Sequence, residues 1–255
     1  MKKHLIIDER GFIMAINTKQ PSLIKACINR NSMNHYNRWI FNKLEKFLGT
    51  RILDIGSGTG NMIELFLPKA EKIVCLELFP ENIEYMKNRF SNNKKVEFLL
   101  GDFVSSDICY DIYSFDTITC VNVLEHLEHD FIALKKMKNI VGSKGKIILF
   151  VPAFQFLYGT MDIASGHYRR YSPGVLKNYA EALDLKIISN FYINIFGIIP
   201  WYVKGKLLKR NKPYSETLNL KKIGTFNKLI PLLERIDDFN PFPVGISEII
   251  VLQKD

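Results

Sequence analysis

No stretch of this 255-residue chain stays apolar for the roughly 20 residues that a membrane-spanning helix requires. The opening MKKHLIIDERG sets Asp8, Glu9 and Arg10 directly behind a short apolar run, the wrong order for a signal peptide. Cysteine is scarce: Cys27, Cys75, Cys109 and Cys120 show no C-x-x-C spacing. That removes the case for a zinc site or a disulfide framework. Two of the four sit in apolar strand-like runs, as buried thiols of a reducing cytoplasm do. The glycine-rich turn near residue 56 also lacks something. A dinucleotide fingerprint needs glycine at its sixth position, and that position is Asn61.

What is present is ordinary in bulk. At 47% hydrophobic and 24% charged, the chain can bury one substantial core, so one domain with an added lobe is expected. The formal net charge of +9 admits an anionic partner. Charge alone does not select among nucleic acid, a membrane and a phosphorylated substrate.

The chain is organised around RILDIGSGTGN, Arg51 to Asn61. Ile52, Leu53 and Ile55 form the apolar run of a buried parallel strand, and a helical pattern follows through Met62, Ile63, Leu65 and Phe66. Between them Gly56, Gly58 and Gly60, with Ser57, let the backbone press closely on a nucleotide-like ligand. Asp54, two residues before the first glycine, places a carboxylate where a cationic group of that ligand would lie.

Two more acids recur at strand ends. KIVCLEL, Lys72 to Leu78, is a second buried strand carrying Glu77, which can accept hydrogen bonds from both hydroxyls of a ribose, with Leu78 beside it. A third strand, Val96 to Leu100, runs into Gly101-Asp102-Phe103. Asp102 suits an adenine amino group, and Phe103 offers the ring an apolar face. Further strands are expected at Phe115 to Cys120, Lys146 to Val151, Lys186 to Tyr192 and Ile246 to Leu252. Helices are expected from Asn34 to Leu48, from Pro80 to Phe90, up to Val141, and from Ser172-Pro173 (as N-cap and N1) to Leu183. In the first, Tyr36, Arg38 and Trp39 are placed to cover the ligand pocket. Strands alternating with helices indicate a parallel α/β sheet. LIID and FIMAI, around Glu9-Arg10-Gly11, read as a small hairpin.

LDIGSGTG resembles motif I of the class I S-adenosylmethionine (SAM) dependent methyltransferases. The resemblance implies SAM as cofactor and a seven-stranded Rossmann-like α/β sheet with helices on both faces, the seventh strand antiparallel beside the sixth. Residues 34–255 would be that domain, residues 1–33 an N-terminal extension, and residues 194–244 a helical cap inserted between strands six and seven. Small RNA-terminal methyltransferases and quinone-pathway O-methyltransferases look similar after strand four and hold a metal with E-x-x-E-H or E-x-x-x-E-H. Here the first Glu falls on Asn122 or Val121, so no metal is expected. Asn122 joins the cofactor side, and Glu125 and His126 follow it. The D/N-P-P-Y of adenine and glutamine N-methyltransferases is absent, as is the Pro-Cys of cytosine C5 enzymes.

The densest polar cluster is VPAFQFLYGTMDIASGHYRRYS, residues 151 to 172. It resembles bacterial class I methyltransferases associated with sugar and glycosyltransferase pathways. Loops over a rigid sheet are where substrate-reading side chains concentrate, so Asp162, Tyr168, Arg169, Arg170 and Tyr171 are the acceptor-side residues. His167 is the candidate base, with His126 in reserve, because histidine titrates near neutrality. The expected reaction is methyl transfer to a small or medium acceptor, a hydroxyl of a sugar, glycan or other secondary metabolite, in the cytoplasm and without nucleic acid. Rival readings are N-methylation of a small molecule, an NAD-dependent oxidoreductase, and a non-catalytic SAM-binding protein. In the cap, apolar INIFGIIPWYV precedes Lys204 to Lys222, where seven basic residues face one acid, Glu216. Beyond a plain packed helix, that pattern suits an anionic or lipid-linked acceptor, or peripheral contact with a membrane.

Overall fold

The computed structural model describes residues 3–7, 13–17, 34–210, 212, 220–239 and 242–255. Strands β1 (Lys3–Ile7) and β2 (Ile13–Asn17) pair antiparallel as the expected hairpin. Cys27 and Glu216 lie outside the described residues.

The remaining strands are β3 (Arg51–Ile55), β4 (Lys72–Glu77), β5 (Val96–Leu100), β6 (Thr117–Val121), β7 (Lys146–Pro152), β8 (Lys186–Ile193) and β9 (Ser247–Gln253). They form one seven-stranded sheet in the order β5-β4-β3-β6-β7-β9-β8. The first five run parallel, and β9 enters antiparallel between β7 and β8. This is the Rossmann-like class I methyltransferase sheet that the sequence implied.

Strand alternation sends side chains to two cores. Leu53, Ile55, Ile118 and Leu149 face helices α4 (Asp130–Ile140) and α6 (Val175–Ala182) through Leu134, Met137 and Leu176. Ile52, Ile73, Ile148 and Phe150 face the other side, covered by α1 (Asn34–Leu44), α2 (Ile63–Phe66) and α3 (Pro80–Arg89). Trp39, Phe66 and Met86 there are fully buried. Trp39 is therefore a core residue and Arg38 is exposed, while Tyr36 alone of the three reaches the pocket.

Several boundaries differ from expectation for local reasons. β6 starts at Thr117, because Asp116 turns back to accept the backbone N–H groups of Thr50 (2.8 Å) and Arg51 (3.1 Å) at the start of β3. α1 gives way at Leu44 to a tight turn, Glu45–Phe47, and an extended Leu48 that feeds β3. Ser172-Pro173 does not cap α6, which begins after Gly174 in the left-handed conformation (φ 90°). α2 is only four residues long, with Pro68 just beyond it.

After β8 the chain makes a tight turn, Ile195–Gly197, and the short helix α7 (Ile198–Tyr202). A wide turn, Val203–Leu207, leads on toward the long helix α8 (Leu220–Asp238). α8 lies along α1, where Asn42 donates to Glu234 (3.1 Å) and Lys43 pairs with Asp238. Among the described residues, no helix is long and apolar enough to cross a membrane.

Candidate active site

The carboxyl ends of β3, β6 and β7 open into a cavity of about 300 Å³. Its floor is the glycine turn. Gly56, Gly58 and Gly60 take φ of 70°, 57° and 80°, conformations that side-chain-bearing residues rarely adopt. A Cβ at Gly56 would sit 2.4 Å from a Val123 methyl carbon. Gly56, Ser57, Gly58 and Asn61 line the cavity, whereas Gly60 backs onto Phe90.

Asp54 also lines the cavity. Parallel pairing puts it in register with Thr119 of β6, whose hydroxyl donates to it at 2.6 Å. Only 4% exposed, its carboxyl is pushed up to about 6, chiefly by burial; the bonds from Thr119 and Ser57 oppose that, and the Glu77 charge adds to it. A buried carboxylate so placed is stabilised by a cationic group of a ligand.

Glu77 is buried and bound back onto the turn. Its Oε2 accepts the Gly58 N–H (2.8 Å), and its Oε1 accepts the Phe79 N–H (3.0 Å) and the Asn82 amide (3.2 Å). It thus braces the glycine turn from β4. Leu78 is 45% exposed beside it. Asp102 caps its own loop through Oδ1, which accepts the N–H groups of Val104 and Ser105 and the Ser105 hydroxyl. Phe103 departs from the expected role. Its ring is buried in the core, 6.1 Å from Tyr110, with Lys136 over one face, so it does not present a face to a ligand. Asn122 lines the cavity just past β6, in a left-handed conformation (φ 54°). Such a conformation in a non-glycine residue is a mark of functional loops.

The opposite wall is built by the loop after β7. Asp162, on α5 (Thr160–Ser165), is fully buried and gathers four donors. They are the Gly159 N–H (3.0 Å), His167 Nδ1 (3.0 Å), Arg170 Nε (2.8 Å) and Trp201 Nε1 (3.2 Å). Desolvation alone would raise the Asp162 carboxyl, but the His167 bond and the Arg170 charge hold it below the usual range. Burial lowers the Arg170 guanidinium, and Asp162 and then Glu125 counter that. His167 and Arg170 line the cavity; Asp162 holds them.

The two histidines meet edge to face, 4.7 Å between ring centres, and His126 Nδ1 lies 3.3 Å from the Gly166 carbonyl. One potential ligand atom each from Glu125, His126 and His167 lies within 4.8 Å of the others. The sequence reading did not join these three, because His167 is 41 residues from His126 and only the loop after β7 brings it over.

The other members of GHYRRYS do different work. Arg169 pairs with Asp130 (2.6 Å) and donates to the Glu128 carbonyl, and the Tyr171 hydroxyl donates to Asp130 at 2.9 Å. Burial, with the Asp130 charge, pushes the Tyr171 hydroxyl far up. These two anchor the loop to α4 and do not line the cavity; Tyr168 is half exposed and likewise stands outside it. Sequence reasoning missed Asn37, Asn194, Trp201 and Lys204, which do line it. Only the lone tryptophan of the cap stood out as a signal.

The groups present fit SAM. A buried carboxylate, Asp54, lines the cavity and can meet a cationic group, and Gly56 and Gly58 leave room for a ligand to approach the backbone closely.

Residues 53–149 match the methyltransferase domain family. The mitochondrial ubiquinone biosynthesis O-methyltransferase of Schizosaccharomyces pombe is 26% identical over 60% of this chain and 56% of its own length. The dimethyladenosine transferase of Kluyveromyces lactis is 37% identical over 23% of this chain and 19% of its own. The chain thus spans about half or less of the length of these relatives. Among solved structures, a SAM-dependent methyltransferase from Archaeoglobus fulgidus superposes with a TM-score of 0.54 at 18% identity, over 86% of this chain and 94% of that one. The YcgJ protein of Bacillus subtilis gives 0.56 at 18% identity, over 85% and 98%. Residues 53–149 thus match a methyltransferase domain, and the sheet around them has the fold found in S-adenosylmethionine-dependent methyltransferases.

Proposed function

We propose that the chain methylates a hydroxyl of a small or medium acceptor, a sugar, glycan or other secondary metabolite, in the cytoplasm. The methyltransferase domain is taken as residues 34–255, with residues 194–244 as a cap on it and residues 1–33 outside it. The bound cofactor supplies a methyl group already activated on a sulfonium. Catalysis by this chain is then mainly alignment and exclusion of water.

Asp54 holds the ammonium of the cofactor, the glycine turn its backbone-facing side and Glu77 its ribose. Asp102 takes the adenine amino group through Oδ2. The observation that carries the acceptor side is the Asp162–His167 pair. With Nδ1–H donated to Asp162, His167 keeps Nε2 as its basic atom, on a residue that lines the cavity. There it removes the proton of the acceptor hydroxyl as the methyl group arrives. Arg170 supplies one positive charge beside Asp162 and Glu125.

The matches to dimethyladenosine and ribosomal RNA methyltransferases cover between 22% and 40% of this chain. They weigh less than the ubiquinone O-methyltransferase match, which covers 60% of it. The test is radiolabelled SAM incubated with sugar nucleotides, glycans, small amines and ribosomal RNA. Label on a sugar oxygen is the expected result. Label on RNA or on nitrogen would replace this acceptor class, and no turnover beside intact SAM binding would make the chain a binding protein.

A further inference from the structure

The surface around the cavity mouth is unusually apolar for an exposed face. α7 exposes Ile199 (74%) and Tyr202, and the wide turn after it exposes Leu207 (63%) and Leu208. Against them pack α5 and the turn Gln155–Leu157, exposing Ile163 (60%) and Phe156 (59%). These elements abut. The Thr160 hydroxyl donates to the carbonyls of Gly205 (3.1 Å) and Arg210 (2.8 Å), and Trp201 of α7 reaches Asp162 of α5. Large side chains left together in water at such exposure mark an interaction surface.

The charge beside them identifies the partner. Residues 195–212 carry Lys204, Lys206, Lys209, Arg210 and Lys212 and no acid at all. Lys206, Lys209, Arg210 and Lys212 are exposed. Apolar side chains with an aromatic among them, bordered by cations alone, is the composition of an element lying in the headgroup layer of a bilayer. A protein partner of matching chemistry would have to be both acidic and apolar on one face, which a membrane with anionic lipid is by construction.

We propose that this face docks on an anionic lipid membrane and presents the cavity mouth to it, so that the methyl acceptor is the head of a lipid-linked molecule. The mouth fits that role, because Phe196, Trp201 and Lys204 line the cavity and belong to the same docking segment. The inference deepens the hydroxyl-methyltransferase reading and rests on it for the acceptor, not for the docking.

Flotation of the full-length protein with phosphatidylcholine vesicles, with and without phosphatidylglycerol, tests it. Calorimetric SAM titration in the absence of lipid is run beside it. The protein is expected to float with the anionic vesicles at low salt, and to leave them at high salt. Charge reversal at Lys206→Glu, Lys209→Glu and Arg210→Glu is expected to weaken partitioning by about a hundredfold or more. The pair Ile199→Ser and Leu207→Ser is expected to weaken it by about tenfold or more. Both variants should titrate SAM as the unaltered protein does, since none of these side chains lines the cavity. Docking is overturned if the unaltered protein stays with the soluble fraction on anionic vesicles. It is equally overturned if it floats as well on neutral ones, or if the charge-reversed form still floats. Failure of SAM to bind the unaltered protein would instead count against the methyltransferase reading and leave the docking result standing.

Discussion

The two walls of the cavity are made differently. The donor wall, at the ends of β3 and β6, is fixed by sheet register. Asp54 meets Thr119 because the two are paired residues of adjacent strands, and Glu77 braces Gly58 one strand away. The acceptor wall is fixed by side chains reaching across sequence to one buried carboxylate. Asp162 holds His167, Arg170 and, 39 residues on, Trp201. A register-built wall is common to any chain that makes this sheet. A wall hung on one aspartate rests on side-chain contacts outside the sheet, and that is where substrate choice can vary without disturbing the fold.

The contrast can be broken experimentally. The largest effect is expected on the acceptor wall: His167→Ala lowers turnover by roughly 10²–10⁴ while SAM affinity is kept. Steady-state rates beside a SAM titration check this, and near-normal turnover would move the base elsewhere. On the donor wall Glu77→Ala removes hydrogen bonds to a diol and the brace on Gly58, so SAM binding weakens by about 1.5–3 kcal/mol in calorimetry with the same acceptor dependence. Unchanged affinity in both Glu77→Ala and Asp54→Ala would end the donor assignment.

Asp54 gives a smaller effect that depends on pH. Its carboxyl sits at about 6 when folded, above the ordinary value near 4, so the folded chain holds more protons than the unfolded one between those values. Stability without ligand therefore falls as pH rises through that window. The ammonium of SAM favours the ionised form, so affinity drops by up to tenfold per unit as pH falls below about 6. In Asp54→Asn both slopes flatten, as thermal melts and titrations across pH 5 to 8 would show. The smallest effect expected is none: chelation of divalent metal leaves turnover unchanged. Loss of activity on chelation, restored by a metal, would turn Glu125, His126 and His167 into its ligands.

The donor wall was legible in part: Asp54, Gly56, Gly58, Asn61 and Asn122 line the cavity, whereas Glu77, Leu78 and Asp102 do not. An apolar run, three glycines and an acid at each strand end place themselves once the strands are found. The acceptor wall was only half legible. GHYRRYS announced a functional loop, but nothing local says that Arg169 and Tyr171 turn to Asp130 while His167 and Arg170 turn to Asp162. Phe103 fails in the same way, since an aromatic after a strand packs inward or outward according to neighbours such as Tyr110 that lie elsewhere in the chain. Trp201 stood out as the lone tryptophan of the cap, but its role did not, because its partner is 39 residues away in sequence.

The antiparallel strand β9 has a consequence for how the molecule assembles. β8 touches the sheet only through β9, which arrives some fifty residues later and must slip between β7 and β8. During synthesis β8 therefore waits without a paired strand, with α6 packed on it, until Ser247–Gln253 has been made. Closing so long a loop is slow. The sheet is completed by insertion, not by addition at an edge.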